Sequence, residues 1–313
     1  MIPLCQLVTG RYLILYKSIA VSRNTIAGSL GKMHSDLLTG TEDDGKSRVA
    51  YQLPIGDQLL PLNGLLGCKF SMQYQGEIYC CHCGRKTKKS FNQGFCYPCF
   101  KKLPQCDNCI ISPEKCHYDQ GTCRDAAWGE TFCMTDHIVY LANSSGLKVG
   151  ITRATQIPTR WIDQGATQAM PFFRVATRQQ SGWLETIFKE FVSDRTNWRA
   201  MVKGPAAPMN LKGTARELLE MNGSRITALQ ERFGIQAIQS LTDVKSEDTD
   251  QSAVLHINYP VIEYPVKVIS RSFDKEPLIE GMLLGIKGQY LIFDNGVVNI
   301  RKHTAYQVRV AVN

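Results

Sequence analysis

An uninterrupted apolar run of about 18 residues, the length that a membrane-spanning helix needs, is absent from this 313-residue sequence. The N-terminal segment also lacks the order of basic region, apolar region and cleavage site that marks a secretory signal, because Arg11 and Lys17 interrupt its apolar patches. These absences predict a cytoplasmic protein without a membrane partner. Since 43% of the residues are hydrophobic, the chain can bury a substantial core.

Acidic residues are missing between Gly84 and Lys102, and the whole chain carries a formal net charge of +8. The basic residues of this stretch are Arg85, Lys86, Lys88, Lys89, Lys101 and Lys102. Its aromatic residues are Phe91, Phe95, Tyr97 and Phe100. A basic stretch with aromatic side chains suits single-stranded nucleic acid, whereas a charge run can equally keep a small metal module in solution. Both interpretations stay open, and we expect a nucleic-acid partner without choosing between DNA and RNA.

Most of the 12 cysteines lie between Cys80 and Cys133, and in a reducing compartment such clustering indicates metal binding rather than disulfides. The first group comprises two C-x2-C pairs separated by 12 residues, namely Cys80, Cys83, Cys96 and Cys99. Two residues between thiolates allow a tight turn to direct both sulfurs to one ion, and two such turns complete a tetrahedron. The spacing predicts a zinc ribbon with a closed structural site, and Cys81 or His82 is a substitute ligand.

The cysteines that follow predict a second structural metal, so that about two zinc ions per chain are expected. The preferred ligands are Cys106, Cys109, Cys116 and Cys123. The alternatives are His117, Cys133 and His137. Structural zinc stabilises small domains that lack a core of their own, so a scaffold role is the first interpretation of both sites.

Polar and turn-forming stretches divide the chain into parts. The predicted parts are a segment with little structure at 1–45, a β segment at 46–79, a cysteine-rich region at 80–137, an α/β domain at 138–204, a helical segment at 205–242 and a β segment at 253–313. We hypothesise that the folded protein effectively begins at Met33. The helical segment is interpreted as two short helices joined at Asn222-Gly223. A polar spacer at 243–252 precedes the last part.

The two β segments share a pattern, seen in NGLLGCKFSMQYQGEIYC and in EGMLLGIKGQYLIFDNGVVNIR. Each has Leu-Leu-Gly, one residue and a lysine, followed by a strand, a glycine turn and a second strand. We predict a hairpin on either side of the central modules and expect the two hairpins to pair into one small barrel or sheet. The alternative is that they look alike because hairpin chemistry is limited. The expected fold class is α+β.

The stretch from 137 to 200 predicts an ordered series of elements. HIVYLANSSGLKVGITR is typical of a β-hairpin with its turn at NSSG. A short helix then begins near Pro158 and ends before Gly165, with Arg160 in its first turn. SGWLETIFKEFVSD favours an amphipathic helix that is capped by Ser181 and carries Glu185 beside its apolar face.

This arrangement resembles the GIY-YIG nuclease domain. That family has two hairpin strands bearing its name motifs, an arginine on the next helix, a glutamate on a later helix and usually an asparagine after it. Ile138-Val139-Tyr140 stands where the first motif is expected, and Lys148-Val149-Gly150 where the second is expected. The remaining family positions correspond, in order, to Arg160, Glu185 and Asn197. The departures from the pattern are Ile138 in place of glycine and Lys148 in place of tyrosine.

The resemblance implies a metal-dependent endonuclease site made of Tyr140, Lys148, Arg160, Glu185 and Asn197. Glu185 would hold one Mg²⁺ or Mn²⁺ ion whose other ligands are waters. Arg160 would clamp the phosphate through paired hydrogen bonds. Tyr140 or Lys148 would orient or deprotonate the attacking water.

Each of these residues also has an ordinary structural interpretation. Glu185 lies four residues before Lys189, a spacing typical of a helix ion pair. Tyr140 can be a core aromatic, and Arg160 can be a surface residue near Asp163. Asn197 can be only a helix cap. Convergence of the charged residues in one cleft would favour the nuclease interpretation.

From about Met33 onward the chain also resembles a bacterial family labelled domain of unknown function 2797. The likeness is carried by CDNCIISPEKCHYDQGTCRD, RWIDQGA and LLGIKGQYLIFDNGVVNIRK. It implies a shared architecture and no particular activity. The functions under consideration are therefore a zinc-containing nuclease, a non-catalytic nucleic-acid-binding or protein-binding adaptor that keeps only the fold, and an enzyme acting on another phosphate-bearing or small substrate.

Overall fold

The computed structural model describes residues 25–38, 47–242 and 253–312. Its strands are β1 (Ile26–Ser29), β2 (His34–Leu38), β3 (Arg48–Ile55), β4 (Gln58–Pro61), β5 (Lys69–Ile78), β6 (His137–Asn143), β7 (Leu147–Arg153), β8 (Gln168–Val175), β9 (Ile238–Ser240), β10 (Leu255–His256), β11 (Ser270–Arg271), β12 (Leu278–Lys287), β13 (Tyr290–Phe293), β14 (Gly296–Asn299) and β15 (Tyr306–Val312). Its α-helices are α1 (Tyr97–Lys102), α2 (Ala126–Phe132), α3 (Thr159–Asp163), α4 (Arg178–Phe188), α5 (Trp198–Lys203) and α6 (Leu211–Phe233). The predicted α+β class is confirmed. The predicted spacer at 243–252 lies outside the described residues.

The helices in the described part of the chain are too short or too polar for any of them to cross a membrane.

The largest sheet has seven strands in the order β1-β15-β5-β12-β13-β14-β11. Strand β5 pairs antiparallel with both β12 and β15, so segments before and after the central modules contribute to one sheet. The hairpin predicted within NGLLGCKFSMQYQGEIYC does not form, because Lys69–Ile78 is one strand of 10 residues. Gly76, whose φ is 81°, lies inside this strand, where the register with β15 shifts. The predicted C-terminal hairpin does form, and Gly288 with a φ of 60° lies in its turn.

Strands β1 and β2 lie within the segment 1–45, for which the sequence predicted little structure. Strand β1 pairs with β15, and β2 pairs with β3. Because β1 precedes Met33, the hypothesis that the folded part begins at Met33 does not hold. Met33 is itself buried, and its backbone N–H and C=O groups hydrogen-bond the Gln289 side chain at 2.9 and 3.0 Å. These partners are distant in sequence, and local patterns therefore carry no sign of them.

The central sheet has the order β10-β8-β6-β7, and β9 adds to the other side of β8. Every residue of β6 is buried, as expected for a strand that is covered on both faces. On one face, Val139 and Leu141 pack with residues of α4 and α6. On the other face, Tyr140 packs with Trp161 of α3 in a core shared with the largest sheet. The hairpin β6–β7 is thus held between helices and a second sheet.

Helix α4 begins earlier than predicted. Its N-cap is Thr177 rather than Ser181, because the Thr177 hydroxyl accepts a hydrogen bond from the Gln180 backbone N–H and the Gln180 side chain accepts one from the Thr177 N–H. Ser181 lies inside the helix, and its hydroxyl donates to the Arg178 carbonyl at 2.6 Å. The earlier start adds Arg178 and Gln179 to the helix that carries Glu185.

Helix α6 is continuous over 23 residues and replaces the two short helices that were predicted. Asn222 is buried in its middle, where the side-chain amide donates to the Leu218 carbonyl at 2.9 Å. A side-chain hydrogen bond to the residue four positions earlier keeps the polar amide compatible with a helix interior. The buried stripe formed by Leu211, Leu218 and Ile226 then stabilises the helix across Gly223.

Lys287 is a cation buried at the end of β12, with 0% of its surface exposed. Its Nζ donates to the Gly204 carbonyl at 2.8 Å and lies 5.5 and 5.6 Å from the ring centroids of Tyr259 and Tyr264. Burial lowers the pKa of Lys287 from 10.5 to about 8. Between these pH values the unfolded chain binds a proton that the folded chain has released, so this residue makes stability rise with pH across that interval.

In the native chain, Lys287 is expected to raise the free energy of unfolding by at most about 3 kcal/mol between pH 8 and pH 10.5. Lys287→Met should abolish this increase. The measurement is urea unfolding at a series of pH values across this interval. Lys267→Met is the matched control, because Lys267 is exposed and should leave the pH dependence as it is in the native chain. Equal pH profiles for the native chain and Lys287→Met would contradict this prediction.

Candidate metal centre and charged site

The first cysteine group is assembled as the spacing predicts. The sulfurs of Cys80, Cys83, Cys96 and Cys99 all lie within 4.8 Å of one another. The Sγ atoms of Cys83 and Cys96 are 3.7 Å apart, close to the spacing of about 3.8 Å that tetrahedral Zn–S bonds of ~2.3 Å produce. This cluster can hold one metal ion, which fits a zinc-binding protein.

Two tight turns bring these sulfurs together. In the first, the Cys80 N–H donates to the Arg85 carbonyl at 2.9 Å, and Gly84 adopts a φ of 68°. In the second, Cys96 precedes α1, whose first turn contains Pro98 and Cys99. The substitute ligands Cys81 and His82 are not part of the cluster of sulfurs. Cys81 instead packs against Gly94, where an added Cβ would lie 2.6 Å from its sulfur.

The second predicted ligand set is only partly brought together. Cys106 is buried and accepts a hydrogen bond from the Asn92 side chain at 3.4 Å, on the side of the module that faces Cys80. The other three members, Cys109, Cys116 and Cys123, line a narrow gap together with Cys133. His137 is buried elsewhere, with Nδ1 2.7 Å from the Thr135 carbonyl.

The candidate charged site lies on the hairpin β6–β7 and the helices α3 and α4. Tyr140 is fully buried, and its hydroxyl donates to Oε1 of Gln164 at 2.9 Å. Burial raises the pKa of the Tyr140 phenol, although the charge of Arg160 and a hydrogen bond from it oppose the rise. The charge of Glu185 raises the pKa further. The Tyr140 phenol therefore interacts electrostatically with both Arg160 and Glu185.

Gly150, the last residue of the second motif, is required by the Tyr140 ring. The two residues are cross-strand partners in β7 and β6. An added Cβ on Gly150 would lie 2.6 Å from the Tyr140 hydroxyl oxygen and 2.7 Å from Cζ. Both atoms belong to a ring that is packed in the core and has no room to move away.

Gly150→Ala is expected to destabilise the protein by about 1–3 kcal/mol, because the added methyl group overpacks the contact with Tyr140. Urea unfolding measures this loss. In a Tyr140→Leu background the same substitution should cost much less, since the clashing ring is gone. An equal cost in both backgrounds would show that the contact with Tyr140 is not the cause.

Lys148 shares a face of the hairpin with Tyr140, because its cross-strand partner Ala142 is two residues along from Tyr140. Its side chain is buried, and Nζ donates to the Asp194 carbonyl at 3.0 Å. Burial lowers the pKa of Lys148 to about 8, and the charge of Arg160 contributes to the decrease. The charges of Glu185 and Asp194 oppose it.

Glu185 is partly buried on α4. Burial raises the pKa of its carboxyl group, and the charge of Asp194 adds to the effect, whereas Lys148 and Arg178 lower it. Within the described part of the chain, no ion pair joins Glu185 to Lys189, although the two have the spacing of a helix pair. Glu185 thus lies among several charges from other elements.

Arg160 and Asn197 have different surroundings. Arg160 lies on α3 and is half-buried, and the nearby carboxylate of Asp163 is engaged by Lys32 and by Gln289. Asn197 is exposed and caps α5, where its side chain accepts from the Ala200 N–H at 3.2 Å. Its own N–H donates to the Ser145 hydroxyl in the turn of the hairpin. The structure thus gives Asn197 the cap role that the sequence left open.

Sequence reasoning missed three residues that contact or influence this site. Arg178 lies seven residues before Glu185 and therefore on the same face of α4, a periodicity that the sequence could have revealed. Gln164 accepts the hydrogen bond of Tyr140, and Asp194 accepts that of Lys148 through its backbone. Backbone acceptors depend on tertiary packing, and sequence spacing alone carries no signal for them.

Comparison with known families supports a shared architecture. A family model described as "Protein of unknown function (DUF2797)" matches residues 67–308, which is well over half of the chain. The chain belongs to this family. The DUF2797 match begins just before β5 and ends within β15, so it contains both cysteine groups and the central sheet. Strands β1 to β4 precede it. No curated protein and no solved structure matches the chain.

Proposed function

We propose that this DUF2797 protein is a zinc-containing nucleic-acid-binding protein that hydrolyses phosphodiester bonds with a Mg²⁺ or Mn²⁺ ion held by Glu185. The observation that carries the proposal is a group of charges beside the hairpin β6–β7, in which Lys148 and Arg178 both interact with Glu185 and Arg160 interacts with both of these cations. Burial lowers the pKa of both Lys148 and Arg178, and the charge of Arg160 lowers each of them further.

Repulsion among these cations disfavours their charged forms, and a bound anion would compensate for it beyond what Glu185 and Asp194 already supply. A phosphate group offers that compensation, because its oxygens accept several charge-assisted hydrogen bonds at once. The folded chain keeps these cations close despite the cost, and a phosphate-binding role accounts for their position. The carboxylate of Glu185 within the same group supplies a ligand for a divalent cation.

The likeness to the GIY-YIG domain assigns roles to these residues. Arg160 would hold the scissile phosphate, and the cation on Glu185 would stabilise the charge that develops on the phosphate and the leaving oxygen. Lys148 in its neutral form would take the proton of the attacking water, in the position where the family keeps a tyrosine. Tyr140, whose hydroxyl lies between Gln164 and Arg160, would orient the reacting groups.

The zinc ribbon supports the nucleic-acid part of the proposal. Phe91 lies 5.5 Å from Tyr97 and 5.7 Å from Phe100 between ring centroids, and Lys89 lies 5.4 Å from the Phe91 centroid. Tyr97 is 55% exposed. Phe91 and Phe100 are half-buried, so Tyr97 offers the exposed ring for stacking and the neighbouring lysines offer phosphate contacts for a single strand.

A second candidate function is a binding adaptor that keeps the fold without catalysis. The burial of Tyr140 and Lys148 favours it, because 0% and 4% of their surfaces are exposed and a water-activating group must reach the water. An adaptor of this kind would bind nucleic acid or a protein, and the form that binds nucleic acid differs from the first candidate only in cleavage.

The test combines binding and cleavage with the zinc-loaded chain and labelled single-stranded and double-stranded DNA and RNA. We expect binding that weakens as salt rises, and products that form with Mg²⁺ or Mn²⁺ and not without them. Lys88→Glu with Lys89→Glu should weaken binding at least about tenfold, whereas the exposed Lys267→Glu should not. Binding without cleavage would favour the nucleic-acid-binding adaptor, and absence of binding to every substrate would contradict the nuclease and leave only the protein-binding adaptor.

A further inference from the structure

Four thiols from separate turns of the chain meet beside the start of α4. The residues that line their shared gap include Cys109, Cys116, Cys123 and Cys133. The thiols of Cys109 and Cys116 are hydrogen-bonding neighbours, and the Cys133 thiol interacts electrostatically with those of Cys116 and Cys123. The gap is closed on another side by Gly129, where an added Cβ would lie 3.4 Å from the Cys123 sulfur.

We propose that Cys109, Cys116, Cys123 and Cys133 bind a second structural zinc ion, and that this ion fixes the first turns of α4. Four free thiols that line one gap supply the donors of a closed tetrahedral zinc site. No three of their sulfurs lie within 4.8 Å of one another in this structure, so the ion would draw them together. This ligand set replaces Cys106, the first choice from the sequence, with Cys133. The inference concerns metal binding and helix order, and it stands whether or not the protein cleaves nucleic acid.

Two other ligand sets compete with this one. Cys106 is turned toward Asn92 and does not line the gap. Asp107, Cys109 and His117 also have donor atoms within 4.8 Å of one another. The Asp107 carboxylate already pairs with Arg124 at 2.7 Å and accepts the Asn108 N–H, so a metal there would compete with both partners for its oxygens. These three donors lie closer together than the four thiols do, but a closed structural site needs a fourth ligand, and the described residues supply none within 4.8 Å of all three.

The cysteines of the second site hold α4 through their own backbone. The Cys133 carbonyl accepts from the Arg178 N–H at 2.8 Å, and the Cys116 carbonyl accepts from the Gln179 side chain at 2.9 Å. The Arg178 guanidinium also donates to the Ile110 carbonyl at 2.6 Å, next to Cys109. Residues at the start of α4 are thus hydrogen-bonded to two proposed ligands and to the neighbour of a third.

The loop between Cys109 and Cys116 also packs directly on α4. An added Cβ on Gly182 would lie 2.5 Å from the Glu114 backbone nitrogen and 2.7 Å from the Pro113 Cβ. Only a glycine allows this approach. Gly182 precedes Glu185 by less than one helical turn, so a metal that fixes the loop also fixes the backbone that carries Arg178 and Glu185.

Zinc content of single variants tests the ligand set. The native chain should contain about two zinc ions, Cys133→Ser about one, and Cys106→Ser about two, as measured by elemental analysis of the purified full chain. Two zinc ions in Cys133→Ser, or one in Cys106→Ser, would overturn the assignment. Loss of one ion in His117→Ala without loss in Cys133→Ser would assign the metal to the Asp107 group instead.

Alkylation of the native chain provides a readout that does not depend on a variant folding. In the zinc-loaded protein, Cys109, Cys116 and Cys123 should resist alkylation and should react after chelation, whereas the exposed Cys81 should react in both states. Equal reactivity of the three with and without the chelator would overturn the site.

Hydrogen exchange tests the link to α4. In Cys133→Ser, amides of residues 178–188 should exchange at least about tenfold faster than in the native chain. Cys83→Ser, which disrupts the other cluster, should leave these amides protected. Unchanged protection of α4 in a Cys133→Ser chain that has lost one zinc ion would overturn the proposed role in fixing the helix.

Discussion

Cys83→Ser is expected to release one zinc ion per chain and to unfold the zinc ribbon formed by residues 80–103. The ribbon has almost no core of its own, since two of its most buried residues are the ligands Cys80 and Cys96 at 3% and 1% exposed. The apparent free energy of zinc binding in such modules is about 10–16 kcal/mol, and most of it serves as folding free energy. Losing one sulfur ligand therefore removes the main source of order in this region.

Cys81→Ser is the matched control for this prediction. Cys81 lies two residues before Cys83 and contacts Gly94 rather than the sulfur cluster. It should keep the zinc content and the thermal stability of the native chain. Elemental analysis and thermal unfolding of the three proteins measure both quantities. Full zinc content in Cys83→Ser, or loss of zinc in Cys81→Ser, would contradict the assignment of the first site.

Glu185→Gln is expected to reduce cleavage by at least about 10³-fold, because a neutral amide oxygen is a much weaker ligand for Mg²⁺ than a carboxylate. The substitution keeps the size of the side chain and removes one negative charge from a group that contains Lys148 and Arg178. Nucleic-acid binding without a divalent cation should be retained or become tighter, since the substitution removes a negative charge that repels phosphate. Single-turnover cleavage and binding of the same labelled substrate measure the two effects.

Glu190→Gln is the control for Glu185→Gln. Glu190 follows α4 and is exposed, and its carboxylate pairs with Arg225 at 2.7 Å, away from the cations of the site. Cleavage by Glu190→Gln should match that of the native chain. Equal cleavage by Glu185→Gln and the native chain would remove Glu185 from the mechanism, and the adaptor function would then be the better account.

Local patterns in the sequence predicted the elements whose interactions are themselves local. The C-x2-C spacing predicted the first sulfur cluster, because each pair of ligands is brought together by a single tight turn. The hairpin β6–β7 and the short helix α3 followed from turn residues such as Gly165, whose φ is 69°. In each case the interactions that decide the conformation join residues that are close in sequence.

The remaining features depend on contacts between distant segments. Gly76 has the sequence signal of a turn, but β5 stays extended because it gains partners on both sides. Asn222-Gly223 has the signal of a helix end, and packing of α6 overrides it. Cys106 and Cys133 cannot be ranked as ligands by spacing, because the position of Cys133 depends on how the second cysteine module packs against α4.

Binding of Mn²⁺ tests most directly whether Glu185 holds a divalent cation in the site that contains Lys148, Arg160 and Arg178. The measurement is the electron paramagnetic resonance signal of free Mn²⁺ during titration into the zinc-loaded chain, with the native protein and Glu185→Gln in parallel. The native chain is expected to remove about one equivalent of Mn²⁺ from solution, and Glu185→Gln is expected to remove none. Equal Mn²⁺ uptake by the two proteins would contradict this prediction.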